Sequence, residues 1–357
     1  MKLIRQRSLL CTLTCIPVFF LLLSACNRGR GRVLEVAYVS GVQANLRDHV
    51  AAVYEKTGVV KNGDRVEVLD HDRHFVKVRT ATGATGWMEQ RYLVRQEVYD
   101  EIQKLTADNQ NDPVQAQGAT RNDTNLHVEP GRDTEHLYQI SSGEKLSLLK
   151  RGTAEKPGAV APQRSASPSK RGSNPQNSNP HSNDKKQAVP VVEDWWLVRD
   201  SHNRVGWVLA RMIDLDIPLD VAQYAEGKRI VAFFVLNQVQ DGDKKVAQYL
   251  TVVTEPKDGL PFDFNQIRVF TWNVKRHRYE TAYRERMEGL LPVTVSQENF
   301  DKEGLLPVFI LRVQDDNGNV TERKYKLNTP IVRRVYGPGE EPVHAPSSKR
   351  TARRRKG

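Results

Sequence analysis

Cysteine is scarce in this chain of 357 residues, and its three copies, Cys11, Cys15 and Cys26, all fall within the first 26. Everything after Cys26 lacks a thiol, which excludes both a disulfide framework and a cysteine nucleophile there. Long apolar runs are scarce too. The main one, Ser8–Leu23, has 16 residues and contains Pro17, where a membrane-spanning helix needs about 20. No His-Glu-x-x-His pair and no glycine-rich phosphate loop occurs. Ser167-Pro168-Ser169-Lys170 matches Ser-x-x-Lys, but it lies inside a low-complexity stretch that offers a nucleophile no rigid setting. His71-Asp72-Arg73-His74 is the one dense group of metal-ligand types. Arg73 repels a cation and no third ligand is evident, so a solvated turn is preferred. No catalytic residue, metal or cofactor is expected, and the chain is read as non-enzymatic.

The N-terminus has a pattern of its own. Lys2, Arg5 and Arg7 precede the apolar stretch, which closes on Leu23-Ser24-Ala25-Cys26. Short length, positive flank and small residues suit a secretory signal, and the last four residues resemble the bacterial lipobox. That resemblance implies a lipoprotein signal peptide over 1–25, cleavage before Cys26 and lipidation of its thiol; an ordinary signal peptide is the alternative. Two or more acyl chains anchor a protein stably. Asn27, where an inner-membrane lipoprotein tends to carry Asp, favours the outer membrane, facing the periplasm. The formal net charge is +11, of which the first 25 residues carry +3 and residues 337–357 carry +4, so the body is only mildly basic.

An internal repeat organises the centre. Asn45-Leu46 and Gly63–Leu69 recur as Asn125-Leu126 and Gly143–Leu149, at an offset of 80. Phe75–Arg79, Gly86-Trp87 and Arg91 recur as Trp195–Arg199, Gly206-Trp207 and Arg211, at an offset of 120. Two constant offsets mean one insertion of 40 residues in the second copy. Lys150–Gln187 is rich in Pro, Ser, Asn, Gly and Lys, without apolar periodicity, and reads as a disordered loop. Within each copy, short alternating segments are separated by glycine turns.

Asn-Leu-Arg, Gly-Asp before an alternating strand, an aromatic opening a valine-rich strand, then Gly-Trp and Tyr-Leu resemble, as an ordered set, the bacterial SH3 (SH3b) family. The second copy departs from it: His127 stands where Arg47 does, and Met212-Ile213 where Tyr92-Leu93 does. The resemblance implies small barrels that bind peptide or glycan, often peptidoglycan, without a catalytic centre. The expected fold is mainly β: an SH3b-like domain over 37–95, a helical linker over 96–120, and a second SH3b-like domain over 121–217 with a disordered insertion at about 150–190. Val98, Ile102 and Leu105 give the linker its helical spacing. A C-terminal antiparallel β-sandwich or barrel is expected over 219–336, from seven or eight strands and the hairpin signal Asp315–Gly318. A basic tail occupies 337–357.

Aromatic and cationic residues supply the candidate ligand site. Trp87 and Trp207 follow a turn glycine in each copy; packing is preferred over binding. Adjacent strand residues face opposite ways, so one of Trp195 and Trp196 is expected to face outward, where an exposed ring suits sugar or peptide stacking. In the last domain, Tyr279, Thr281 and Tyr283 share one strand face and Arg278, Glu280, Arg284 and Arg286 the other. A core face with a solvated face is preferred; the alternative is an anion-binding surface on Arg278 and Arg284. Expected partners are membrane lipid through Cys26, peptidoglycan or other envelope proteins, and anionic polymers along the basic tail. Export argues against nucleic acid.

Overall fold

Arg65–Asp72 alternates Val66 and Val68 with charged neighbours, and Phe75–Thr80 does the same with Val76 and Val78. These period-two patterns build the strands of a computed structural model that describes residues 32–50, 55–160 and 190–337. The signal segment with Cys26, residues 161–189 of the insertion, and all but the first residue of the basic tail lie outside the described residues. The fold is mainly β, with three seven-stranded antiparallel sheets.

The first sheet holds β1 (Glu35–Val39), β2 (Gln43–Arg47), β3 (Lys56–Lys61), β4 (Arg65–Asp72), β5 (Phe75–Thr80), β6 (Thr85–Glu89) and β7 (Leu93–Arg95). They lie in the order β3-β2-β6-β5-β4-β1-β7. Every strand from β1 to β6 contributes to one buried cluster, which includes Val39, Leu46, Val60, Val66, Val78 and Met88. A flat sheet cannot gather its inner face around one point, so this sheet curls. His71 and Asp72 end β4, and Arg73 and His74 form the exposed β4–β5 turn, with Arg73 in the left-handed region.

The second sheet holds β8 (Ala116–Thr120), β9 (Thr124–His127), β10 (His136–Ile140), β11 (Lys145–Val160), β12 (Pro190–Arg199), β13 (Val205–Leu209) and β14 (Ile213–Leu215). Its order, β10-β9-β13-β12-β11-β8-β14, repeats the first strand for strand. One glycine shows why the repeat kept its spelling. A Cβ on Gly86 would lie 2.8 Å from Leu46, and one on Gly206 would lie 2.9 Å from Leu126. The Gly of each Gly-Trp lets β6 and β13 pass beneath the same leucine.

Two differences from the sequence reading stand out. β11 and β12 pair well beyond the repeat, as far as Val160 and Pro190, so Lys150–Val160 is strand where the composition reads as loop. Ladder hydrogen bonds and tertiary cover outweigh a weak local preference. The helix α1 (Gln96–Asp108) forms where the spacing predicts it, with Val98 and Ile102 buried. Yet the chain divides into two compact units inside it, at Tyr99, and the second module shares its unit with the C-terminal sheet.

That third sheet is a meander: β15 (Arg229–Asp241), β16 (Lys244–Thr254), β17 (Phe264–Asn273), β18 (Arg278–Phe300), β19 (Gly304–Gln314), β20 (Val320–Asn328) and β21 (Ile331–Val335), each paired with its chain neighbour. A short helix, α2 (Leu219–Ala222), precedes it. Asp315 closes the β19–β20 turn by accepting the amides of Asn317 and Asn319, and Gly318 takes the left-handed conformation there. Buried ion pairs join this sheet to the second module. Arg151 donates to Asp194 at 2.6 Å and to Asp263 at 3.2 Å, and Arg229 donates to Asp194 at 2.7 Å. Burial pushes the Asp194 carboxyl up, but the hydrogen bond from Arg151, the Gly259 amide and two guanidinium charges outweigh it and hold it low. At Asp263 burial wins and the carboxyl is raised. The Gln115 side-chain oxygen also accepts the buried amide of Val293.

Candidate functional site

Strand alternation gives β5 an inner valine face and an outer face carrying Phe75, Lys77 and Arg79. β6 and β2 extend that outer face. Lys77 lies opposite Trp87, Phe75 opposite Glu89, and Arg47 opposite Trp87 on its other side. Phe75, Trp87 and Tyr92 are each half-buried. Together with Gln43, Asn45, Arg47 and Glu89 they line a pocket of about 160 Å³. Arg91 donates to the Tyr92 hydroxyl and sits over its ring, 4.8 Å from the centroid, and its other contact is Glu89 at 2.8 Å. The half-buried rings of Phe75 and Trp87, beside a Tyr92 ring already covered by Arg91 and flanked by amide and guanidinium donors, can stack on a flat, apolar ligand face and hydrogen-bond its polar edge. Trp87 therefore lines a surface groove and is not part of the module's buried cluster. Arg47, Phe75 and Tyr92 join it, although the sequence reading did not single them out as site residues. Their signal was present: Arg47 follows buried Leu46, and Phe75 precedes buried Val76, so both belong to the outer face.

The second module has the same backbone and a different surface. His127 lies opposite Trp207, and Leu197 lies opposite it on the other side. Trp207 packs with Leu105, Leu149, Leu197 and Val205, and its ring covers Gly152, where an added Cβ would lie 2.7 Å away. Trp195 meets His127 edge-on at 5.2 Å. Burial, then the neighbouring His136 charge, lower His127 to about 4, against a weaker opposing effect of the Thr134 carbonyl. Its ring is neutral at pH 7.

The expectation that one of Trp195 and Trp196 faces outward is overturned. They are 2% and 6% exposed, within a run of six buried residues, Glu193–Val198. The rings do point to opposite faces of β12, but both faces are covered. Trp195 shares its face with Leu197, under the Trp207 and His127 side; Trp196 shares its face with core Val198 and borders the C-terminal sheet.

The β18 residues separate rather than assemble. A register shift between Thr281 and Tyr283 breaks the alternation. Tyr279 is buried and donates to the Ala247 carbonyl. Tyr283 is half-buried and donates to Glu285, and burial first, then that bond, raises its hydroxyl. Exposed Thr281 departs from the expected shared face. Arg278 is held by Glu280 and Arg284 by Glu226, each at 3.3 Å. Those pairings favour the solvated-face reading over an anion surface. Glu144, Asp200 and His202 come within 4.8 Å of one another, but Asp200 already holds Arg204 at 2.6 Å and two turn amides.

Comparison with known proteins agrees with the first module's geometry. Residues 40–94 match the family described as bacterial SH3 domain. No curated protein matches the chain. Among solved structures, an NlpC/P60 family protein from Bacillus cereus aligns over 83% of this chain and 95% of its own at 12% identity, with a TM-score of 0.22. NlpC1 from Trichomonas vaginalis aligns over 86% and 93% at 9% identity, with a TM-score of 0.17. NlpC2 from the same organism aligns over 84% and 95% at 10% identity, with a TM-score of 0.16. At such scores the likeness bears on no functional question.

Proposed function

We propose that this chain is a non-catalytic, lipid-anchored protein of the bacterial cell envelope, whose first SH3 module binds peptidoglycan or wall-linked peptides. The supporting observation is the open groove of Phe75, Trp87 and Tyr92, in a module that matches the bacterial SH3 family over residues 40–94. The second sheet, with the same strand order, is a second SH3b copy whose groove is filled by its own side chains. It is a structural partner of the C-terminal sheet rather than a second wall-binding site. Cys26 carries the lipid and the outer membrane is the location. The absence of any cysteine after Cys26 supports the non-catalytic reading by removing one class of wall hydrolase.

Co-sedimentation with purified sacculi tests the binding. The wild-type chain is expected to pellet with sacculi, and Trp87→Ala to weaken this by roughly 1–3 kcal/mol, a hot-spot magnitude, while the fold survives. Unchanged sedimentation of a folded Trp87→Ala chain refutes the groove, and failure of the wild type to pellet favours a scaffold for other envelope proteins. The anchor is tested separately: Cys26→Ala should leave the membrane fraction, and its retention after a high-salt wash refutes lipidation.

A further inference from the structure

The second module and the C-terminal sheet together line an open cavity of about 310 Å³. Small-molecule sites begin at roughly this size and favour seams between folded parts. Its apolar lining is Trp196, Ile213, Leu215, Ile217, Ile230 and Val231. Its charged lining is Arg151, Arg211, Arg229, Asp194 and Asp258.

The charged residues are not equivalent. Asp194 binds Arg151 through one oxygen and Arg229 through the other, and Arg229 also reaches Asp258 at 2.7 Å. Two of the guanidinium groups are thus held by acids. Arg211 is exposed and makes no hydrogen bond or ion pair among the described residues. Glu193, whose carboxyl it helps to lower, is clasped by Arg132 through both oxygens at 2.6 Å. With Asp263 also on Arg151, each guanidinium group but that of Arg211 has a carboxylate of its own. The apolar lining carries its own signal. Val76 fills this strand position in the first module and is fully buried in its core. A tryptophan at the matching Trp196 exceeds what such a core position needs, and it gives the cavity a broad aromatic wall.

We propose that this cavity binds a small molecule with an apolar body and a single carboxylate. The body lies against Trp196 and Ile230, and the carboxylate meets Arg211, whose planar fork suits it. A dianion such as a phosphate monoester would bring a second negative charge to one unpaired guanidinium group, against Asp194 and Asp258.

The test uses the full chain and three probe acids, N-acetyl-leucine, N-acetyl-phenylalanine and 4-methylpentanoate, each beside its neutral amide. The readout is the Trp196 indole N–H resonance, assigned through Trp196→Phe. At least one acid should move it saturably, with its amide weaker by about ten-fold, equivalent to about 1.4 kcal/mol. Arg211→Gln should lower the acid to the affinity of its amide and leave the amide unchanged. Because Arg211 is exposed, the variant should keep the wild-type melting transition. The absence of any saturable shift, equal binding of acid and amide, or an acid preference that survives Arg211→Gln would each overturn the proposal.

Discussion

The two modules share a strand order and differ in what surrounds one tryptophan. In the first, Trp87 has Lys77 and Arg47 as cross-strand neighbours, with Glu89 beyond; in the second, Trp207 has Leu197 and His127, with Leu209 beyond. Both rings are half-buried, and they differ in what they touch. Charged residues border the first; the second packs against the cluster that Leu105 of α1 also joins, against the β11 backbone at Gly152, and beside a neutral histidine. The same backbone therefore gives a groove in one copy and a packing surface in the other. The inner faces barely differ, because a closed sheet must fill its centre in either case.

The largest expected effect falls where the second module has what the first lacks. Asp194→Ala leaves Arg151 and Arg229 without their shared carboxylate in a buried site. Breaking one side of a buried pair costs about 3–5 kcal/mol. The unit that begins at Asp100 should unfold earlier in urea while the first module's transition stays in place. A single unchanged transition would show that the ion network does not hold the seam.

Next comes the aromatic that opens the matched strands. Trp195→Ala should cost about 3–5 kcal/mol, as for buried aromatics generally, without changing sedimentation of the folded fraction with sacculi. Phe75→Ala, at a half-buried ring, should cost about half as much and weaken sedimentation. Equal stability losses with no change in binding would erase the distinction between groove and core. The tryptophan pair sharpens it: Trp207→Ala should lose stability with sacculus binding intact, the reverse of Trp87→Ala.

The smallest effect is a pH dependence. His127 titrates at about 4 in the folded protein and near 6.5 when unfolded. Between those values the unfolded state binds the extra proton, so its contribution to stability is complete above about 6.5 and falls as pH drops toward 4. His127→Asn should flatten the pH dependence of the second unit's melting over that window. The first module has Arg47 at this position, so its transition offers the internal control. An unaltered pH profile in the variant would remove His127 from the account.

Much of this was legible in the chain. The offsets of 80 and 120 residues announced the repeat, the valine alternation announced its strands, the spacing of Val98, Ile102 and Leu105 announced α1, and Asp315–Gly318 announced its hairpin. The groove was legible in part: Trp87 could be named, but packing was preferred for it. The paired replacement of Lys77 by Leu197 and of Glu89 by Leu209 was a readable sign that the second outer face is covered. Arg151 and Asp194 were hidden differently. Both fall inside or beside a stretch whose composition reads as loop, and only their pairing across β11 and β12 makes them structural.

Apart from the extension of β11 and the register shift in β18, the sequence by itself determined the strands, their turns, the repeat and the side of each strand on which a residue stands, because these follow from periodicity two and from glycine at fixed places. It also determined that no thiol chemistry is available after Cys26. Only the tertiary structure decided which of those sides meet water. Trp195 and Trp196 had to point opposite ways by local geometry, yet both became buried because His127 of β9 and the C-terminal sheet arrive from distant parts of the chain. Cover is a non-local property, set by contacts that no window of neighbouring residues contains.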